Sequence, residues 1–358
     1  MSSDVSKVIA YFRPMHVDFR SDTVTRPTAG MLEAMRTAAL GDDVFGEDPS
    51  IQALEHRLAE MFGMEAGLFC PSGTMTNQIA IKCHTNPGDD VICDADSHIY
   101  QYEGGGIAFN SGCSVRLLSG DRGRITAEQV LEAVNDPSDP HKPISRMVGL
   151  ENTANRGGGS CYSLAEISRI REACGRQGLA LHLDGARLFN ALVATGTKPA
   201  EHGALFDSIS ICLSKGLGAP VGSVLLGNRS FIAKARRVRK VFGGGMRQAG
   251  MLAAAGTYAL DHHIDRLADD HRNARRIAAA LERKPFIRKV LPVETNIIIA
   301  EVDPPGTPKA FVAAMAAEGI LLFAVSRDRF RMVTHLDITS EMVDRTIAVI
   351  ERMETPMP

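Results

Sequence analysis

The chain has 358 residues, of which 44% are hydrophobic and 23% charged, with a formal net charge of −2. That length and apolar share can bury a large core in one large and one smaller domain, and the near-neutral charge offers no electrostatic case for nucleic acid or an anionic membrane. Seven scattered cysteines without CxxC spacing read as buried thiols of a reducing compartment, and no apolar run approaches the ~20 residues of a membrane span.

The first residues, MSSDVSKVIAYFRPM, lack the apolar centre of a secretory leader and read as a short tail over 1–17 of a cytoplasmic protein. DFRSDTVTRPT (18–28) places Ser21, Asp22 and Thr23 before a helix opened by Pro27. Asp48-Pro49 opens another, with Ile51, Leu54, Leu58, Met61 and Phe62 along one face. A further helix starts at Ser72 in CPSGTMTNQ. Short apolar, partly β-branched runs then follow at 91–93, 115–118, 147–150, 179–183, 208–213 and 221–226. Between them, Thr126 with Gln129 and Ser163 with Glu166 are capping boxes that start amphipathic helices. This alternation predicts a mostly parallel sheet sheathed by helices. After about residue 260 the pattern changes to a charged helix (264–281), NIIIAEV (296–302), a helix from Pro308, ILLFAV (320–325), RFRMVTHL (329–336) and a final helix. The expected division is a large domain over 18–260 and a smaller α+β domain over 261–358. His262 and His263 read as helix-surface residues.

The residues with the most chemistry sit at strand exits, where ligands of open α/β sheets bind. Lys215 follows the run 208–214 and opens a turn punctuated by Gly216, Gly218, Pro220 and Gly222. Asp184 and Arg187 follow the run 179–183. A lysine that can attack a carbonyl and a carboxylate that can hold a pyridinium nitrogen protonated are what a pyridoxal phosphate (PLP) site needs. Taken alone, Lys215 also fits a solvated loop lysine and Asp184 a capping residue. Ser72, Gly73 and Thr74 at a helix start form an anion cradle or a plain cap. His98 lies near the Gly104–Gly106 cluster, where its ring could stack on a flat cofactor. FGGGMRQ (242–248) delivers Arg247 on a glycine run whose entropy cost implies close backbone approach or motion. Arg331 suits bidentate capture of a carboxylate or a surface ion pair. No His/Cys/Asp cluster has metal-ligand spacing, so no metal is expected.

The stretches DFRSDTVTRPT, GDDVFGEDPS, PSGTMTNQ, LENTANRGGG, LHLDGAR, CLSKGLGAPVGS, GGGMRQAGMLAAAG and RMVTHLD resemble those of the L-threonine aldolases, in order from about residue 18 to 340. Those are fold-type I PLP enzymes grouped with the β-eliminating lyases. The resemblance implies an α/β fold: a mostly parallel seven-stranded sheet between helices, plus the smaller C-terminal α+β domain. It implies that Lys215 holds the cofactor, that Asp184 binds the pyridine nitrogen and that Arg187 contacts the ring-hydroxyl region. Ser72, Gly73 and Thr74 would hold the phosphate, and His98 would stack on the ring. Arg247 would reach a phosphate from a neighbouring subunit, in a homodimer or homotetramer with shared sites. Ser21 and Arg331 would bind the substrate carboxylate. Two positions depart from the pattern: Ala154 stands where the family usually has histidine, and Phe45 where it usually has tyrosine.

The implied reaction is retro-aldol cleavage of L-threonine, L-allo-threonine or related β-hydroxy-α-amino acids to glycine and an aldehyde. With Ala154 unable to act, the base is expected to be His98 through an ordered water, or a water held by the phosphate. A methyl at 154 and apolar Phe45, if it faces the same space, predict low discrimination at the β-carbon. The rival outcomes are β-elimination, racemisation or aldol transfer on the same scaffold. A non-catalytic nucleotide- or phosphate-binding module is the rival of a different class, weakened because GLGAPVG lacks GxGxxG spacing.

Overall fold

The computed structural model describes residues 16–354, and the expected tail falls outside them except for residues 16 and 17. Among the described residues, Val17–Asp18 is the first strand (β1). Seven strands follow: Ala66–Cys70 (β2), Asp90–Asp94 (β3), Ser114–Leu118 (β4), Ser145–Glu151 (β5), Ala180–Gly185 (β6), Ser208–Cys212 (β7) and Ser223–Gly227 (β8). They form one sheet in the order β2-β8-β7-β6-β5-β3-β4. Only β8 runs against the others, pairing antiparallel with both β2 and β7. This is the expected mostly parallel seven-stranded sheet.

The sequence shows why these segments pair. Every residue of β3, β7 and β8 is buried, as helices on both faces require. At the edge, β4 has no fully buried residue, and Ser114, Arg116 and Leu117 are exposed. Both capping boxes form with both arms, at Thr126 for Ala127–Ala133 and at Ser163 for Leu164–Gln177. Pro49 is the first residue of Pro49–Met61, capped by the Asp48 carboxylate. Pro27, by contrast, does not open its helix. Thr28 caps Ala29–Arg36 by accepting from the Met31 N–H at 3.2 Å, which puts the proline one residue outside.

The remaining strands are Ile287–Val290 (β9), Ile297–Val302 (β10), Ile320–Leu321 (β11), Phe323–Ala324 (β12) and Arg329–Val333 (β13). The order β12-β13-β10-β9 is an antiparallel sheet, whereas β11 pairs in parallel with β1. The single strand expected over 320–325 is therefore split between two sheets by pairing with Val17 and Asp18. The helix expected over 264–281 is Leu267–Glu282, and a further helix, Gly250–His262, precedes it. His263 between them is buried rather than on the helix surface, its Nδ1 2.7 Å from the Leu217 carbonyl. One apolar core lies on the large sheet; a second joins Val17 and Phe19 to Ile277, Ile298, Phe311 and Phe330. All seven cysteines are buried and free. No described helix is long and apolar enough to cross a membrane.

Candidate active site

The parallel strands bring Glu151, Asp184 and the exit of β7 to one edge. Glu151 pairs in register with Asp184, and Gly185 with Ile211, four residues before Lys215. The turn after β7 has a backbone that only glycine takes easily. Gly218 sits at φ +76°, its N–H 2.8 Å from the Lys215 carbonyl, and a Cβ there would lie 2.8 Å from Leu336. Lys215 is half-buried, and its charge acts on both Asp22 and His98.

Asp184 is buried and held at both oxygens. Oδ1 accepts from the Ala186 N–H at 3.0 Å, and Oδ2 from Asn77 Nδ2 at 2.9 Å. Beside it, Arg187 is buried and makes a bidentate pair with Asp22, both contacts 2.7 Å. Burial pushes the Asp22 carboxyl up, but Arg187, Lys215 and Asn296 together bring it down to about 2. Asp22 therefore stays ionised and fixes the guanidinium plane.

His98 begins the short helix His98–Gln101, where its backbone N–H donates to Glu151 at 2.8 Å. Its Nδ1 lies 3.0 Å from Glu103, which also accepts from Asn77 and Gln78. Burial lowers the His98 pKa, yet the Glu103 hydrogen bond and the charge of Asp184 leave it raised overall. Burial and the Asp184 charge push Glu151 up to about 7, which limits the charge crowded beside Asp184. His98, Glu103 and Asp184 offer donor atoms within 4.8 Å of one another, a grouping that sequence spacing does not show. Hydrogen bonds from Asn77, Gln78 and Ala186 already engage those carboxylates.

Ser72 caps Gly73–His84, leaving Gly73 and Thr74 in its first turn. Ser21 caps the turn Asp22–Val24 immediately before the Arg187 pair. Arg331 on β13 donates to Asn155 Oδ1 at 2.9 Å and to the Arg20 carbonyl at 3.1 Å. Its Nε is buried without a partner among the described residues, and burial with nearby Arg187 lowers the guanidinium to about 10. Arg187 also points toward Asn155 Oδ1, at 3.4 Å, so one asparagine links both arginines.

Three further expected residues are Arg247, Phe45 and Ala154. Arg247 pairs with Asp42 at 2.8 Å and is 53% exposed on its side chain, with Phe45 under its guanidinium at 5.7 Å. Phe45 is itself 74% exposed, so within this chain neither residue lines the inner site. The glycine run beside them does make a close approach, Gly244 packing on Met75 of the helix that Ser72 caps. Ala154 is buried, and a Cβ built on Gly123 would come within 2.7 Å of its methyl. Backbone of the Asp121–Arg124 turn thus takes up space that a missing histidine ring would be expected to leave open.

Asn77, Glu103, Glu151, Asn155 and Asn296 complete the site and were not singled out from sequence. The one available signal was Asn77 within PSGTMTNQ, on the helix that starts at Ser72.

A half-buried lysine and a buried aspartate thus stand at neighbouring strand exits, beside the start of a helix. The chain belongs to the beta-eliminating lyase family, whose model matches residues 18–304. It is 42% identical over 342 residues to low-specificity L-threonine aldolase 1 of Arabidopsis thaliana, covering 94% of this chain and 96% of that protein. It is 40% identical over 333 residues to the low specificity L-threonine aldolase of Escherichia coli K12, covering 93% and 97%. The fold matches a threonine aldolase structure from Leishmania major with a TM-score of 0.83 at 23% identity, over 94% of this chain and 99% of that one.

Proposed function

We propose that the chain is a PLP-dependent aldehyde-lyase of the L-threonine aldolase type, cleaving β-hydroxy-α-amino acids to glycine and an aldehyde. The observation that carries this is the convergence of Asp184, Arg187 and Lys215 at the carboxyl ends of β6 and β7 with His98, which follows β3 and bonds Glu151 of β5, in a chain 40–42% identical to low-specificity aldolases. The donor set fits the cofactor. Buried Asp184 suits a pyridinium, the first turn of Gly73–His84 suits a phosphate, and half-buried Lys215 suits the carbonyl. When bound, PLP supplies an electron-withdrawing ring that takes up the electron pair released as the Cα–Cβ bond breaks.

The protein's own residues supply the rest. Asp184 would keep the ring nitrogen protonated, and Arg187, braced by Asp22, would meet the ring-hydroxyl region. Ser72, Gly73 and Thr74 would hold the phosphate, and His98 would lie against the ring. With Nδ1–H donated to Glu103, His98 in its neutral form presents Nε2 to take the β-hydroxyl proton through a water. Ser21 and Arg331 hold the substrate carboxylate, Arg331 using its unpartnered Nε. Arg247 and Phe45 complete a neighbouring subunit's site in a homodimer or homotetramer. Their exposure supports this, as does that of Phe109 (89%) and Val241 (81%). The two cores are read as a large and a small domain dividing near residue 260, and the protein as cytoplasmic.

The deciding experiment offers L-threonine, L-allo-threonine and aryl-serines and quantifies products. Glycine and aldehyde in equal amounts support cleavage; ammonia with a keto acid, or a changed enantiomer without aldehyde, would replace it by elimination or racemisation.

Arg331→Lys is expected to raise KM for amino acids tenfold or more while leaving PLP retention unchanged, because an ammonium cannot make the bidentate fork. An unchanged KM for every substrate places the carboxylate elsewhere.

The wild type is expected to discriminate little between threo and erythro substrates. Ala154→His should improve that ratio roughly ten- to hundred-fold, since a histidine can hydrogen-bond one β-hydroxyl orientation. Its ring must also displace Gly123, at a cost of about 1–3 kcal/mol in stability. A ratio that stays put while thermal melting shows a folded variant would remove position 154 from β-carbon recognition.

A further inference from the structure

Asp184 is tied to the far end of the sheet by an unbroken line of hydrogen bonds, buried except at its outer end. His182 lies two residues before it on β6, so both side chains leave the same face of the sheet. Above that face runs Gly73–His84, on which Asn77 and His84 are two turns apart and share one side. His84 Nε2 is 2.8 Å from Ser208 Oγ, and Ser208 Oγ is 2.8 Å from His182 Nδ1. His182 Nε2 is 3.1 Å from Asn77 Oδ1, and Asn77 Nδ2 donates to both Asp184 and Glu103 at 2.9 Å.

The direction of this line is dictated by its end. Two carboxylates face Asn77, so its amide nitrogen must point at them and its oxygen at His182. His182 therefore carries its proton on Nε2 and accepts at Nδ1 from the Ser208 hydroxyl. Ser208 in turn accepts from His84 Nε2–H. Every donor points toward Asp184 and Glu103, and every member is matched. Burial pulls His182 down to about 3 and His84 to about 4, so both rings are neutral, as the line demands. An amide does not readily pass protons, so the line polarises and orients rather than conducts. Its outer end, His84, stacks on Phe231 at 4.5 Å and lines a cavity of about 490 Å³ together with Arg171, Asp207 and Lys234.

We propose that Asn77 and His182 are positioning residues for Asp184, held in register through Ser208 and His84 from the opposite end of the sheet. Satisfying buried polar atoms would alone be met more cheaply by apolar residues, since half-matched polar chains are costly in a core. The directed line has a use at a carboxylate that must face one ring atom. It rests on the reading that Asp184 meets the pyridine nitrogen.

The test titrates the apo-protein with PLP and with an analogue carrying CH in place of the ring nitrogen, following binding rather than turnover. Wild type should bind PLP at least tenfold more tightly than the analogue. His182→Leu should shrink that preference about tenfold while analogue binding stays within about twofold, because only the nitrogen contact is disturbed. His182→Gln, whose amide can still donate to Asn77, should recover most of the preference. Equal weakening of both ligands by His182→Leu, or of neither, overturns the proposal. Should that variant not fold, Ser208→Ala removes the donor to His182 with a smaller change. There a reduced preference supports the line and an unchanged one overturns it. A wild type that does not distinguish the two ligands refutes the Asp184 reading itself, and the proposal with it.

Discussion

Replacing Lys215 with alanine is expected to abolish the visible absorbance of the PLP-loaded protein and to lower turnover by roughly 10³–10⁶-fold. The lysine stands on a turn whose shape is set by Gly218 and by Gly222, at φ +118° with Phe69 pressed against it. A side chain at either glycine would be strained, so the turn that carries the lysine depends on both. The ammonium lies among opposing influences, its charge helping to keep Asp22 ionised while opposing protonation of His98. Alanine removes the amine and leaves the turn intact, so circular dichroism and thermal melting should change little. A variant with wild-type turnover on β-hydroxy amino acids would move the nucleophile to another residue.

The parts of the fold that were legible had local causes. Six core strands announced themselves as apolar, partly β-branched runs, and the caps at Asp48, Thr126 and Ser163 follow from side-chain chemistry within four residues. Strand β2 is not among them, because AGLFC both lacks a β-branched residue and carries a glycine. Its Gly67 answers a tertiary demand, since a Cβ there would sit 2.8 Å from the Glu55 carbonyl. The split of 320–325 depends on β1, some 300 residues away, and no local pattern carries that. In the site, Lys215 and Asp184 stood out because strand exits and glycines mark them. Asn77, Glu103 and Asn155 did not, because an inward-facing polar residue within a helix or loop looks like any surface one until its partners are placed. The resemblance supplied roles, but the hydrogen bonds that hold those residues are tertiary facts.

Asp184→Asn is expected to leave PLP bound and yet to lower the rate roughly 10²–10³-fold, the usual cost of losing one preorganised electrostatic partner. The geometry argues that this is more than loss of a charge. Both carboxylate oxygens face donors, the Ala186 N–H on one side and Asn77 Nδ2 on the other. An asparagine must turn its own NH₂ toward one of them, leaving a buried donor unpaired at about 1–3 kcal/mol. The amide would settle on whichever donor keeps the better bond, and the pyridine nitrogen would meet a neutral group either way. Neighbouring acids should report the change. After burial, the charge of Asp184 is the largest influence holding Glu151 up to about 7, so in the variant Glu151 should ionise at lower pH. His98 loses an attracting charge at the same time, so its pKa should fall. The pH–rate profile should therefore shift to lower pH as the maximal rate drops. A rate within a few-fold of wild type, with an unmoved profile, would show that the ring nitrogen is not held by this residue.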